Sequence, residues 1–280
     1  MSKFFNETRE ASELSRSQAN QDLDIKEMLD LIKQGSSSST KVSEARLEQC
    51  KTVRVADGAG TPAVLKQDSS SRLALEAYRG LRTRLMRAQA KSGLRSIAVT
   101  SSIPGEGKTL TVLNLGLCFS QLSEQRVLVI DADLRTGGLT KLLGQPNAPG
   151  LAEALAGEVT PSAAVVSTDQ KNLFALTSGM VSTQPPELFA STQWKELLGW
   201  CSETFSVVLV DTPPISPLAD FELISSACDG IVMVVRAQSV RRETVRKIVQ
   251  GLDSKKFLGV VFNGTEIDHK GEYGYGYGDR

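Results

Sequence analysis

From Arg72 to Asn263 two hydrophobic patterns alternate. Ser96–Ser101, Arg126–Ile130, Leu173–Leu176, Val207–Val210, Ile231–Val235 and Phe257–Phe262 are short runs dominated by Val, Ile, Leu, Phe and Ala. Such runs fit strands buried on both faces. Between them apolar residues recur at helical spacing, which predicts helices over 110–122, 186–200 and 240–252, with Pro186 tolerated in a first turn. Ahead of the first strand, Leu73, Ala77, Gly80, Leu81 and Leu85 form one more stripe, with Arg79, Arg82, Arg84 and Arg87 around it. Strands separated by helices predict an α/β fold: a mostly parallel sheet with helices on both faces. Ligands of such sheets bind at the carboxyl ends of the strands.

Upstream the texture is different. Residues 1–70 are polar and rich in Ser, Gln and charge, with a Ser run over 35–40 that reads as a linker. Leu23, Met28, Leu29 and Ile32 could line one face of a helix from Asp22 to Lys33. A helix that short is marginal alone, so the arm is expected to be flexible, with docking on the body or on a partner as the alternative. The organisation predicted is an arm over 1–70, a body over 71–265 and a flexible tail over 266–280.

Composition removes several classes of function. The 280 residues are 40% hydrophobic, enough for a large core, and 32 basic side chains balance 32 acidic ones. A net charge of zero gives no basic field for nucleic acid. The sequence from Met1 to Thr8 lacks a signal core, and no apolar run nears the roughly 20 residues that cross a bilayer. A soluble, cytoplasmic protein is expected. Cys50, Cys118, Cys201 and Cys228 are scattered, which suits reduced thiols rather than disulfides or zinc. With one histidine, His269, near the tail, the sequence argues against a histidine-dependent triad.

The first strand runs into Ser101-Ser102-Ile103-Pro104-Gly105-Glu106-Gly107-Lys108-Thr109, and a helix follows. This is the phosphate-loop pattern G-x-x-x-x-G-K-[ST] with Ser102 at the first glycine position. Gly105 and Gly107 let backbone N–H groups turn toward phosphate oxygens, and the helix N-terminus adds positive potential. Lys108 can bridge the β- and γ-phosphates, and the Thr109 hydroxyl can ligate Mg²⁺. The predicted nucleotide contacts are Gly105, Glu106, Gly107, Lys108, Thr109 and Leu110.

Two further strands end in acid: one runs into Asp131-Ala132-Asp133-Leu134-Arg135, the other into Asp211-Thr212-Pro213-Pro214. In a parallel sheet both reach the edge that carries the phosphate loop. A carboxylate there can hold Mg²⁺, mostly through water. A second can accept a proton from a nucleophile. Asp131 and Asp133, two positions apart, can share the site, although Asp133 also suits a turn or cap.

Three of the four tyrosines, Tyr273, Tyr275 and Tyr277, alternate with glycine in the last eight residues. A Gly-Tyr end buries little ring and exposes each phenol. Alone it could be plain low complexity. Beside a phosphate loop it could be a phosphate acceptor.

Together these residues resemble the cytoplasmic domain of the bacterial tyrosine autokinases of capsule and exopolysaccharide production, a branch of the P-loop NTPases with a deviant, Min/Par-related Walker motif. The resemblance covers about 73–263. It rests on Glu76-Ala-Tyr-Arg79-Gly-Leu-Arg82, Pro104–Thr109, Ile130–Arg135, Pro149–Glu158, Pro186-Glu-Leu188, Val210–Pro214 and Leu258–Asn263. It implies ATP and Mg²⁺ as cofactors and Lys108 and Asp131 as catalytic residues, Asp131 being the base for the tyrosine hydroxyl. It further implies Thr109, Asp133 and Asp211 at the metal, and Asn263 near the adenine. Tyr273, Tyr275 and Tyr277 become autophosphorylation sites, reached in trans. Glu76, Arg79 and Arg82 become the contacts of a homo-oligomeric ring, although such a helix face also fits intramolecular pairing. A membrane-embedded chain-length-determinant adaptor, recruitment to the inner face of the membrane and an opposing tyrosine phosphatase are implied with them. One departure stands out: Thr136-Gly137-Gly138-Leu139 lies where the family commonly has a basic residue and proline.

A positioning switch of the Min or Par type would share the phosphate loop and both acidic strands. Its loop carries a lysine five residues before the invariant one, followed by two glycines. Here those positions hold Ile103, Pro104 and Gly105, which favours the kinase.

Overall fold

The apolar runs become strands because only a sheet covered on both faces buries every position. In the computed structural model, which describes residues 50–55, 72–145, 148–180, 184–215 and 220–265, eight strands form one sheet. They are β1 (Thr52–Val53), β2 (Ser96–Ser101), β3 (Val127–Asp131), β4 (Val165–Thr168), β5 (Leu173–Leu176), β6 (Val207–Asp211), β7 (Gly230–Arg236) and β8 (Phe257–Asn263). Their order is β1-β4-β5-β3-β6-β2-β7-β8, and every pairing is parallel except β4 with β5.

Nine helices are described: α1 (Arg72–Ser92), α2 (Lys108–Ser120), α3 (Gly138–Leu142), α4 (Leu151–Leu155), α5 (Pro161–Ala164), α6 (Pro185–Ala190), α7 (Thr192–Thr204), α8 (Asp220–Ala227) and α9 (Arg242–Gly251). They cover the sheet in two layers. One core joins Trp194, Leu197, Leu198 and Cys201 of α7 and Phe221 and Ile224 of α8 to Leu128, Ile130, Val208 and Val210. The other joins Leu85 and Met86 of α1 and Val112, Leu115 and Phe119 of α2 to Ile97, Val99, Val129 and Leu209. A Cβ on Gly116 would stand 2.9 Å from Val129 Cγ1, so glycine sets how closely α2 lies on β3.

Four sequence expectations change. Residues 50–55 belong to the body rather than to an arm ending at 70: β1 pairs with β4, and Val53 and Val55 are buried in the second core. The helix expected over 186–200 is two helices, broken at the extended Ser191, with α7 running on to Thr204. On α1 the buried stripe is Leu75, Leu85, Met86 and Gln89, while Leu73 is half exposed. Leu85 is buried and Leu81 packs against the same core, as expected; Ala77 and Gly80 are exposed, because the larger side chains at 75, 85 and 86 set the buried face. The helix from α2 begins at Lys108 itself.

Cys118, Cys201 and Cys228 are buried free thiols and Cys50 is half-buried, as expected. No helix among the described residues is long and apolar enough to cross a membrane. The arm helix over 22–33, His269 and the three tail tyrosines lie outside the described residues.

Candidate active site

Register brings the acidic strand ends together. Asp131 pairs with Asp211 across β3 and β6, and Asp211 pairs with Val99 of β2, the strand that feeds the phosphate loop. The loop turns through Gly105 (φ 84°) and Gly107 (φ 93°), left-handed angles that glycine adopts without strain. It delivers Lys108 to the first position of α2. A Cβ on Gly105 would meet nothing within 4 Å, so this stretch of backbone faces open space.

Lys108 Nζ donates to Asp133 Oδ2 at 2.9 Å and lies 3.6 Å from Asp211 Oδ1 and 3.5 Å from Thr109 Oγ1. Asp131, Asp133 and Asp211 are all at most 2% exposed. Asp131 Oδ2 accepts from both the backbone N–H (2.7 Å) and the hydroxyl (2.6 Å) of Thr140, while its Oδ1 is buried with no hydrogen-bond partner. Both oxygens of Asp211 are likewise buried without a hydrogen-bond partner. Buried acceptors in that state call for a donor or a cation.

The charges respond to this crowding. Burial works against the Lys108 ammonium, but Asp211, Asp133 and Asp131 outweigh it and hold its pKa above the ordinary lysine value. Burial pushes the Asp211 carboxyl up to about 7, against the pull of Lys108. Burial also raises Asp131, and the two bonds from Thr140 offset part of that rise.

The AAA domain family matches residues 94–256 of this chain. The tyrosine-protein kinase YwqD of Bacillus subtilis (strain 168) is 35% identical over 207 residues, covering 73% of this chain and 86% of the relative. The tyrosine-protein kinase CpsD of Streptococcus pneumoniae is 35% identical over 209 residues, covering 73% of this chain and 90% of the relative. The chain belongs to the bacterial tyrosine-protein kinases. Among solved structures, the kinase domain of Escherichia coli tyrosine kinase ETK superposes with a TM-score of 0.69 at 28% identity, covering 82% of this chain and 94% of that one. The expected P-loop fold, with its mostly parallel sheet, is therefore that of a tyrosine kinase.

Not every predicted contact of the kinase is placed as the sequence suggests. The Glu106 side chain is turned into the protein. Its Oε2 accepts from the N–H groups of Ser102 (2.7 Å) and Ile103 (3.1 Å), and its Oε1 from Arg236 N (3.1 Å) and Ser239 Oγ (2.8 Å). Any contact of Glu106 with a nucleotide is thus left to its backbone. Asn263, at the end of β8, donates to the Glu106 carbonyl at 2.9 Å and so stands against the phosphate loop. Leu110 is half-buried in the first turn of α2.

On α1 the three family positions separate. Arg79 Nη1 pairs with Glu76 Oε1 at 2.5 Å on the exposed face. Arg82 Nη1 reaches back to the Cys118 carbonyl at 2.6 Å and ties α1 to α2.

The structure also brings to the site residues that the sequence pattern did not single out. Thr140 is the chief one, since it also accepts from Ser178 N at 2.8 Å and links Asp131 to the strand-end loop after β5. Glu153 accepts from Gly150 N (2.8 Å) and Met180 N (2.9 Å), fastening that loop to the start of α4. The unusual Gly137-Gly138 pair has a steric account at its second position. A Cβ on Gly138 would come 3.2 Å from Thr109 Oγ1, so glycine there keeps α3 close to the phosphate loop.

Proposed function

We propose that this kinase transfers the γ-phosphoryl group of ATP to tyrosines of its own C-terminal tail, in trans between subunits, in the service of capsular or exopolysaccharide synthesis. The observation that carries the reading is Asp131: one oxygen held by Thr140, the other buried and unpartnered beside Lys108. That is the arrangement a base for a phenol requires. Its raised pKa makes it a stronger proton acceptor once ionised.

In the reaction, a tyrosine oxygen bonds to the γ-phosphorus as the bond to the β-bridging oxygen breaks. The phenolic proton passes to Asp131 Oδ1, and ADP leaves. Gly105, Gly107 and the first turn of α2 cradle the phosphates through backbone N–H groups. Lys108 moves its charge from the carboxylates to the β- and γ-phosphates. The buried oxygens of Asp211, one of them facing Lys108 at 3.6 Å, with Asp133 and the Thr109 hydroxyl, fit a hard divalent cation that keeps water and phosphate as its other ligands. Mg²⁺ held there would neutralise charge on the phosphates.

The body over 71–265 is proposed as the catalytic unit, with β1 added to it, and 266–280 as the substrate tail. The tail follows Asn263, which already stands at the phosphate loop. From Asn263 to Tyr273 the chain takes ten residue steps, which reach at most about 33–36 Å. A ring through Glu76, Arg79 and Arg82, ATP as the nucleotide, a membrane-embedded adaptor that recruits the protein to the inner face of the membrane, and an opposing phosphatase complete the proposal.

The trans step is tested by complementation between two full-length variants. Lys108→Met keeps the tail but not the transfer; the triple Tyr→Phe variant at 273, 275 and 277 keeps the transfer but not the acceptor. Phosphate on the Lys108→Met chain only after mixing supports transfer between subunits. Its absence from a mixture whose Tyr→Phe partner phosphorylates an added tyrosine peptide contradicts it.

A further inference from the structure

Glu106 is a charged side chain at 1% exposure, and the phosphoryl-transfer chemistry gives it no part. Its carboxylate lies between two pieces of backbone far apart in sequence. On one side are the N–H groups of Ser102 and Ile103, where the phosphate loop leaves β2. On the other are Arg236, the last residue of β7, and Ser239 in the turn before α9. That turn is itself tightly specified: Gln238 takes a left-handed φ of 62°, which a non-glycine residue rarely adopts, and Ala237 N bonds Asn263 O at 2.8 Å. Asn263 then closes the circuit by donating to the Glu106 carbonyl. The phosphate loop, the β7–α9 turn and the end of β8 are thus joined at one side chain. Within the turn the Ser239 N–H (3.2 Å) and hydroxyl (2.7 Å) also reach the Arg236 carbonyl, and the helix that follows, α9, has no buried residue.

We propose that Glu106 is a positioning residue that couples the phosphate loop to the β7–α9 turn, so that the shape of the loop and the conformation of Arg236–Ser239 are one equilibrium. The proposal rests on the reading of Gly105–Thr109 as the nucleotide cradle. A carboxylate suits the position because it accepts on both oxygens, and four donors converge on it. Glutamine does not, since one of its two terminal groups is a donor. The Ser239 hydroxyl can reverse its role, so the amide of Glu106→Gln would face the turn and its carbonyl the loop. That substitution keeps the loop's two bonds while leaving the Arg236 N–H opposed by another donor. It therefore cuts the coupling rather than the loop.

Two variants and their combination test this. Full-length wild-type, Glu106→Gln, Ser239→Ala and the double variant are titrated with a fluorescent ADP analogue and Mg²⁺, and amide exchange over 236–241 is followed with and without ADP. The expected result is nucleotide affinity lower by on the order of tenfold for Glu106→Gln and about threefold for Ser239→Ala, with the double variant no weaker than Glu106→Gln alone. In the wild type ADP slows exchange over 236–241; in Glu106→Gln that protection disappears. A purely structural role for Glu106 would lower the melting temperature but leave Ser239→Ala binding within twofold of wild type and ADP protection of the turn intact. That outcome overturns the proposal. Should Glu106→Gln fail to fold, Ser239→Ala, a change at an exposed hydroxyl, decides through its affinity and its exchange. Failure of the wild type to bind the ADP analogue would instead refute the nucleotide cradle itself, and the coupling with it.

Discussion

Thr140 holds Asp131 by one oxygen only: its N–H and its hydroxyl both donate to Oδ2, at 2.7 and 2.6 Å, and Oδ1 is left buried and bare. The pair is built across nine residues, from the end of β3 to the first turn of α3. It orients the carboxylate and tempers its pKa at the same time.

Replacing Thr140 with valine keeps the shape and one backbone donor but removes the hydroxyl. The hydroxyl bond lowers the Asp131 pKa, so its loss raises it further. As the proposed base, Asp131 must be ionised to accept a proton, so the acid limb of the kcat profile is expected to move to higher pH. Below that limb kcat falls by about 10- to 100-fold, while nucleotide affinity changes little. A pH–rate profile on a tyrosine peptide checks both.

Asp211 makes the stability of the nucleotide-free kinase depend on pH. Its folded pKa of about 7 lies above the unfolded value, so its favourable contribution is complete below about pH 4 and lost as pH rises through 7. Stability should fall from pH 5 to 8, with a slope from this group of no more than about 1.4 kcal/mol per pH unit. Asp211→Asn should flatten that dependence. Urea titrations at successive pH values measure it.

Arg79 and Arg82 should separate two properties. Arg79→Ala removes an exposed pair worth at most about 1 kcal/mol and should leave the melting temperature nearly unchanged while weakening self-association. Arg82→Ala removes the bond to the Cys118 carbonyl and should lower the melting temperature as well. Calorimetry and light scattering on the same samples distinguish the two.

Gly116→Val should damage the site from a distance. The new side chain meets Val129 at β3 and forces α2 outward, at a cost of about 1–3 kcal/mol. Because α2 begins at Lys108, nucleotide affinity should fall along with stability. Denaturant midpoints and ADP binding report the two effects.

Much of the molecule was legible in the sequence, for physical reasons. β3, β6 and β7 are buried on both faces along most of their length, so nearly every residue in them is apolar; the acidic ends of β3 and β6 and the glycine-rich loop after β2 mark the ligand edge. Lys108, Asp133 and Asp211 do converge, and Asp131 stands beside them. What was missed depends on contacts rather than pattern. β1 has two residues, too short to show a period, and the four of β4 are half polar, unlike the equally short but wholly apolar β5. Ser191 divides α6 from α7 without a break in the apolar spacing. Thr140 and Ser178 are ordinary polar residues until the fold places them 3.1 Å apart beside Asp131. The place of the Glu106 side chain was hidden for the opposite reason. Its place in the phosphate loop suggested a ligand contact, but its carboxylate meets four donors of the protein itself, two of them some 130 residues away.

The most direct measurement is phosphopeptide mass spectrometry of full-length protein after incubation with ATP and Mg²⁺, beside Lys108→Met under the same conditions. The account predicts phosphate on Tyr273, Tyr275 or Tyr277 in the wild type and none in the variant. ATP hydrolysis by the wild type with every tail tyrosine unmodified, or equal phosphorylation in Lys108→Met, would contradict it.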